Sequence, residues 1–202
     1  MPKQADKLQR TYPQELTLAG TPFTLRLMGP DDRDTMLAFA QGLPPDDLLF
    51  LRLDIATPEG VDEWVRNIDA GRTITVLAEQ AGAVAGYASV HHNAVLWNRH
   101  VGEIRVIVGT EFRRHGLGRR LTDEVFALAR SIGLRKITAQ MTPDQKGARA
   151  TFERLGFRPE ALLADYVIDR DGHTRDLLIM SNDVGGFTDV EHLGVTATSA
   201  SS

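Results

Sequence analysis

The 202-residue chain contains no cysteine. A disulfide framework, a thiolate metal site and a cysteine nucleophile are therefore excluded, and nothing in the chain requires an oxidising compartment. Basic residues are also in deficit: 23 Lys and Arg stand against 27 Asp and Glu, for a net charge of −4. Such a balance gives no general attraction to nucleic acid, so an anionic ligand must be held by a local basic patch. Long apolar runs are missing too. No stretch approaches the roughly 20 residues that span a bilayer, and Met1 to Gly20 alternates polar and apolar residues without the apolar run of a signal peptide. The expectation is a cytoplasmic protein with no membrane or nucleic-acid partner. What the sequence does have, 42% hydrophobic and 25% charged residues, suits one globular domain.

Thr21 to Leu27 alternates as a strand, and Pro30, Asp31 and Asp32 open a helix to about Gln41 with acids at its positive end. The run Leu48 to Leu53 fits either helix or strand. Thr57 caps a second helix with Pro58 at its first position, and Val61, Trp64, Val65 and Ile68 keep one face apolar until Gly71. Thr73 to Glu79 and Ala83 to His91 read as a hairpin about Ala81-Gly82. Gly102 to Gly109 is a β-branched strand, Leu117 to Ser131 a helix stopped by Gly133, and Arg135 to Met141 another strand. A helix from Asp144 to Leu155 and a hairpin about Asp171-Gly172 complete the order βααβββαβαββ. That order predicts a mixed sheet carrying helices. Residues 1–20 are expected to be an N-terminal extension, 21–183 the domain, and 184–202 a small, polar tail.

The segment most charged with chemistry is Arg113-Arg114-His115-Gly116-Leu117-Gly118, between a strand and a helix. Glycines at a helix start let a ligand approach backbone N–H groups backed by the helix dipole, which suits a phosphate or pyrophosphate. Arg113, Arg114, Arg119 and Arg120 add positive charge around it. A Rossmann fingerprint fails because Leu121 occupies the third glycine position, and the strand ending at Gln140-Met141 brings no ribose-binding acid. A Walker A loop fails because no Gly-Lys-Ser/Thr occurs.

This six-residue stretch after Val106-Ile107-Val108, together with Leu155-Gly156-Phe157 further on, resembles the GCN5-related N-acetyltransferase (GNAT) family over roughly residues 22 to 181. The spacing is nearer its phosphinothricin-acetyltransferase-like branch. The resemblance implies an α/β (α+β) fold with a mixed, mainly antiparallel twisted sheet of about seven strands, splayed central strands and about four helices. It implies acetyl-CoA as donor, with Arg113, Arg114, His115, Gly116, Leu117, Gly118 and Arg119 around the pyrophosphate and Gln145 at a second cofactor segment. The edge of Val106, Ile107 and Val108 would pair with the pantetheine arm, and Gly109 would suit the bulge that the splaying needs. The reaction implied is N-acetylation of a small-molecule or peptide amine by direct attack in a ternary complex, without a metal. A non-catalytic acyl-CoA sensor is the alternative.

A protonated amine must lose a proton before attack. Glu103, an acid in an apolar strand ten residues before Arg113, is the candidate base; its structural role would be an ion pair with Arg105 on the same face. His91 and His92 end the preceding strand and are candidates for the acceptor cleft or a proton relay, with Tyr166 a further candidate. The family's usual proton-donating Tyr falls at Phe152, so the acid is unassigned, and Phe152 reads as core. Asp46, Asp47 and Asp54 mildly favour a cationic acceptor, though turn residues after Pro44-Pro45 read the same way. No His and acid cluster has metal-ligand spacing. The late strands are compatible with a homodimer.

Overall fold

Two-residue turns with both φ angles positive twist the chain in the sense that antiparallel strands favour. They occur at Ala19-Gly20 (φ 48° and 82°) and Ala81-Gly82 (φ 51° and 81°). The first joins β1 (Gln14–Leu18) to β2 (Thr21–Leu27), the second β3 (Thr73–Gln80) to β4 (Ala83–His92). Then come β5 (Val101–Val108), β6 (Lys136–Met141), β7 (Arg158–Ile168) and β8 (Thr174–Asp183). The computed structural model describes residues 10–48, 51, 53–169 and 171–184. The expected tail beyond residue 184 and the start of the expected extension lie outside them.

The eight strands form one sheet in the order β1-β2-β3-β4-β5-β6-β8-β7, antiparallel except for β5 and β6. The expected sheet type is present, with one strand more. The added strand is β1, which pairs with β2 along its whole length. Residues 14–18, read from sequence as part of an extension, thus belong to the sheet.

Helices α1 (Arg33–Gln41) and α2 (Pro58–Asp69) cover one face. Thr57 caps α2 by accepting from the Gly60 N–H at 3.2 Å, and its apolar stripe seats Val61 and Trp64 against Leu77 and Tyr87. Helices α3 (Leu117–Ser131) and α4 (Lys146–Arg154) cover the other. Leu117, Leu121, Val125 and Leu128, at helical spacing, are fully buried on Val76, Ala88, Ile104 and Ile137. Two expected helix starts move: a 3-10 turn at Pro30–Asp32 precedes α1, and α4 begins at Lys146 rather than Asp144. Among the described residues no helix is long and apolar enough to cross a membrane.

The register break expected at Gly109 is not found in β4–β5; breaks lie in β3–β4, between Ala78 and Glu79, and at two places in β7–β8. Gly109 ends β5, donates its N–H to the Ala85 carbonyl at 2.8 Å and starts a 3-10 turn. Close packing in this corner falls to Gly86, where a Cβ would stand 2.7 Å from the Ile107 carbonyl oxygen and 3.2 Å from the Val108 Cα. Gly86→Ala is expected to push β5 away and cost about 2 kcal/mol, as overpacking does, lowering Tm by about 4–8 °C. A thermal melt with no shift would show that β5 yields without cost.

Candidate active site

The chain leaves β5 through the 3-10 turn Thr110–Phe112 and reverses at Arg114 (φ 68°) and Gly116 (φ 84°) to start α3. Gly116 is the N-cap and provides no side-chain acceptor, so the N–H groups of the first turn point outward without a cap. A Cβ at Gly116 would meet nothing within 4 Å. Its positive φ therefore demands glycine, while the space before the turn is open to a ligand. His115 steadies the loop through an Nδ1 contact with the Arg113 carbonyl at 2.9 Å.

The four arginines divide. Arg113 pairs with Asp47 and donates from Nε to the Val108 carbonyl at 3.2 Å. Arg120 pairs with Glu124 at 2.5 Å and donates to Gln14 at 2.9 Å. Neither is the mobile charge that the sequence suggests. Arg114 and Arg119 are exposed and form no ion pair among the described residues.

Beside the loop, the parallel pair of β5 and β6 comes apart. β5 and β6 are in register at Val101 to Glu103 only. Beyond that, Arg105 bridges the gap, donating to the Gln140 carbonyl at 3.3 Å. The Gly109 N–H and the Ile107 carbonyl both turn toward β4. Alternation then leaves the backbone groups of Val106 and Val108, rather than Ile107, facing the gap. A slot of about 90 Å³ runs there, lined by Val106, Ala139, Met141, Gln145 and Phe152 among others. Gln145 is fixed by accepting the Thr142 N–H at 3.1 Å. Phe152 packs edge-on against Phe157 at 5.0 Å, a core contact at the slot wall.

A larger cavity, about 550 Å³, opens under α2 and shares Leu51, Arg105 and Gln140 with the slot. Its wall is apolar, with Leu53, Ile55, Trp64 and Tyr87. Its floor is two polar rows across the sheet. Thr73, His91, Glu103 and Thr138 are successive cross-strand partners on β3, β4, β5 and β6. Ser89 and Arg105 form the next row, with Gln140 beyond, while Thr75, opposite Ser89, lies under Trp64 and accepts from its Nε1 at 3.1 Å. Directly opposed residues share a face, so both rows point to the same side.

Glu103 is 7% exposed and contacts Arg105 at 2.5 Å and Gln140 Nε2 at 3.4 Å. The ion pair expected as its structural role is present, at the junction of the two cavities. His91 Nδ1 is 2.9 Å from the Thr73 hydroxyl. His92 also lines the cavity, and burial pushes its pKa down. Tyr166 is not brought to the site; it is 65% exposed on β7, near Leu162 and Ile168, which are exposed too.

Sequence reasoning missed Arg72, Ser89, Thr138 and Gln140. For the last three the available signal was polar residues two apart in apolar strands, at 73 and 75, 89 and 91, 103 and 105, 138 and 140; nothing in the spacing marks Arg72. Asp169, Asp171 and His173 also gather at the β7–β8 turn, a grouping not expected from spacing. Asp169 there accepts from the N–H groups of Asp171 and His173 and pairs with Arg175.

The model of the acetyltransferase (GNAT) family matches residues 35–157. Among curated sequences, the chain is 24% identical over 163 residues to the "Putative phosphinothricin acetyltransferase YwnH" of Bacillus subtilis (strain 168), covering 80% of this chain and 99% of that protein. Its fold is similar to the crystal structure of an acetyltransferase of the GNAT family from Streptococcus pneumoniae, with a TM-score of 0.68 at 22% identity, over 80% of this chain and 99% of that one. It is also similar to yncA from Salmonella typhimurium, solved with its cofactor acetyl-CoA, with a TM-score of 0.67 at 20% identity, over 80% and 94% of the two chains. With the family model matched over more than half of its length, the protein belongs to the GNAT family of acetyltransferases.

Proposed function

We propose that the protein is an N-acetyltransferase that moves the acetyl group of acetyl-CoA to a primary amine by direct attack in a ternary complex. The observation that carries this reading is the meeting of a narrow slot and a wide cavity at Arg105 and Gln140, with Glu103 beside them. The glycine turn fits the donor's pyrophosphate: outward N–H groups, open space before Gly116, and Arg114 and Arg119 exposed beside it. Acetyl-CoA supplies an acyl group activated as a thioester.

The chain's own residues bind and orient. Val106 offers its backbone groups and Val108 its N–H to an extended ligand in the gap, the Val108 carbonyl being taken by Arg113, and an N–H there stabilises negative charge developing on a carbonyl oxygen. Glu103 receives the amine's proton, directly or through a water, while Arg105 fixes its carboxylate. With no cysteine in the chain, direct attack is the simplest route. As the C–N bond forms and the thioester C–S bond breaks, the sulfur leaves as thiolate, because Phe152 has no proton to give and a thiol pKa of about 8.5 makes unassisted departure workable.

Incubation with acetyl-CoA and an amine panel, following thiol release, tests the activity. Gly116→Glu introduces left-handed strain and a negative charge at the turn, and is expected to weaken donor binding about 100-fold by calorimetry. Unchanged affinity would remove the loop from the donor site. Tight donor binding without thiol release for any amine would favour the non-catalytic sensor.

A further inference from the structure

We propose that the acceptor is an amine carrying an acidic group several bonds away, and that Arg72 selects it; this rests on the acetyl transfer proposed above. The cavity is not acidic. Apart from its two histidines, its charged lining among the described residues is Glu103, Arg105 and Arg72, and the first two neutralise one another. The acids that favoured a cationic acceptor are used elsewhere: Asp47 pairs with Arg113, and Asp54 accepts from the Ala56 N–H in the turn before α2. The side chain of Asp46 lies outside the described residues.

Among the described residues, Arg72 is therefore the uncompensated charge of the cavity. Its Nε donates to Asn67 of α2 at 2.7 Å, which holds the guanidinium at the margin. Among the described residues it forms no ion pair, and nearby Glu63 is engaged by Arg66 and Asn67. A guanidinium fork presented in this way matches a carboxylate. A second observation points to a ligand: the Ser89 hydroxyl is fully buried in the cavity floor and has no hydrogen-bond partner. A buried hydroxyl left unpaired is costly, and a polar group of the acceptor satisfies it.

Spacing sets the shape of this acceptor. Arg72 precedes Thr73, and Thr73, His91 and Glu103 lie on three neighbouring strands. At about 4.8 Å per strand, β3 stands about 10 Å from Glu103. An α-amino acid carries both groups on one carbon and does not span that distance. A dipeptide, with its amine at Glu103, an apolar body against Trp64 and Leu53 and its carboxylate at Arg72, does.

Four probes test the inference: glycyl-leucine, glycyl-leucinamide, leucine and spermidine. Glycyl-leucine is expected to exceed its amide at least about tenfold in kcat/KM, the scale of a charged hydrogen bond, with leucine and spermidine poorer still. Arg72→Gln should raise KM for glycyl-leucine about tenfold and bring the acid-to-amide ratio near one, and Arg72→Lys should restore part of it. Calorimetry with N-acetylglycyl-leucine should show the same loss in Arg72→Gln without turnover. Equal use of acid and amide, a preference for leucine or spermidine, or a ratio kept in Arg72→Gln would overturn the proposal. Binding that depends on Arg72 without turnover of any amine would sustain it and overturn acetyl transfer instead.

Discussion

Glu103→Gln is expected to lower kcat about 100-fold at pH 7, within the usual contribution of a positioned base. The substitution keeps the shape of the side chain and an oxygen for Arg105, but it cannot take a proton. The deficit should shrink as pH rises toward the acceptor's own pKa, about 8 for a peptide amine and about 10.4 for a lysine-like one. Above that value solvent supplies the free amine and the base has nothing left to do. A role confined to the Arg105 ion pair predicts the opposite pattern: a loss independent of pH, accompanied by a lower Tm. A pH series of kcat with donor saturating separates the two, and a flat deficit from pH 6 to 10 would rule out Glu103 as the base.

Glu124→Ala should cost about 3 kcal/mol, the lower end for breaking a buried ion pair, and lower Tm by about 6–12 °C in a domain of this size. Glu124 is fully buried on α3, yet it carries a charge. Arg10 reaches one carboxylate oxygen at 3.0 Å and Arg120 at 2.5 Å, while the Tyr12 hydroxyl donates to the other at 2.6 Å. Removing the carboxylate leaves two half-buried guanidiniums facing each other. The lower end applies because their side chains, 31% and 24% exposed, recover some water. Tyr12→Phe, which spares both ion pairs, should cost only about 1 kcal/mol. Equal melts for the parent and Glu124→Ala would mean that the network adds nothing.

That network also explains one misreading. The alternation of residues 14–18 is visible in the sequence, and Ala19-Gly20 has the same form as Ala81-Gly82, which does read as a hairpin turn. The strand is hard to read because five residues at a sheet edge carry a weak apolar signal, and because its anchor, Glu124, lies over 100 residues away. Elements whose pattern is local were legible: the capped helix at Thr57, the hairpin at Ala81-Gly82 and the glycine turn at Gly116 each state their geometry within a few residues. The larger cavity was not. Glu103 stood out as one acid in an apolar strand, but Ser89, Thr138 and Gln140 gain meaning only when register places them side by side. Register depends on pairings between distant segments, which spacing along one chain does not reveal. The same distance misled the charge reading, since Asp47 and Arg113 cancel across 66 residues.

The partial pairing of β5 with β6 bears on the protein's lifetime. Three register pairs at one end, and side-chain contacts of Gln140 with Glu103 and Arg105 further along, join the two central strands. An extended molecule seated between Val106 and Met141 would act as mortar between two slabs of the sheet. For the proposed function the acyl donor is then part of the building as well as the reaction. At 100 times its Kd it would add about 2.7 kcal/mol to the folded state. Persistence of the protein would thus follow the supply of its donor, with the chain most vulnerable to unfolding and proteolysis when acetyl-CoA runs low.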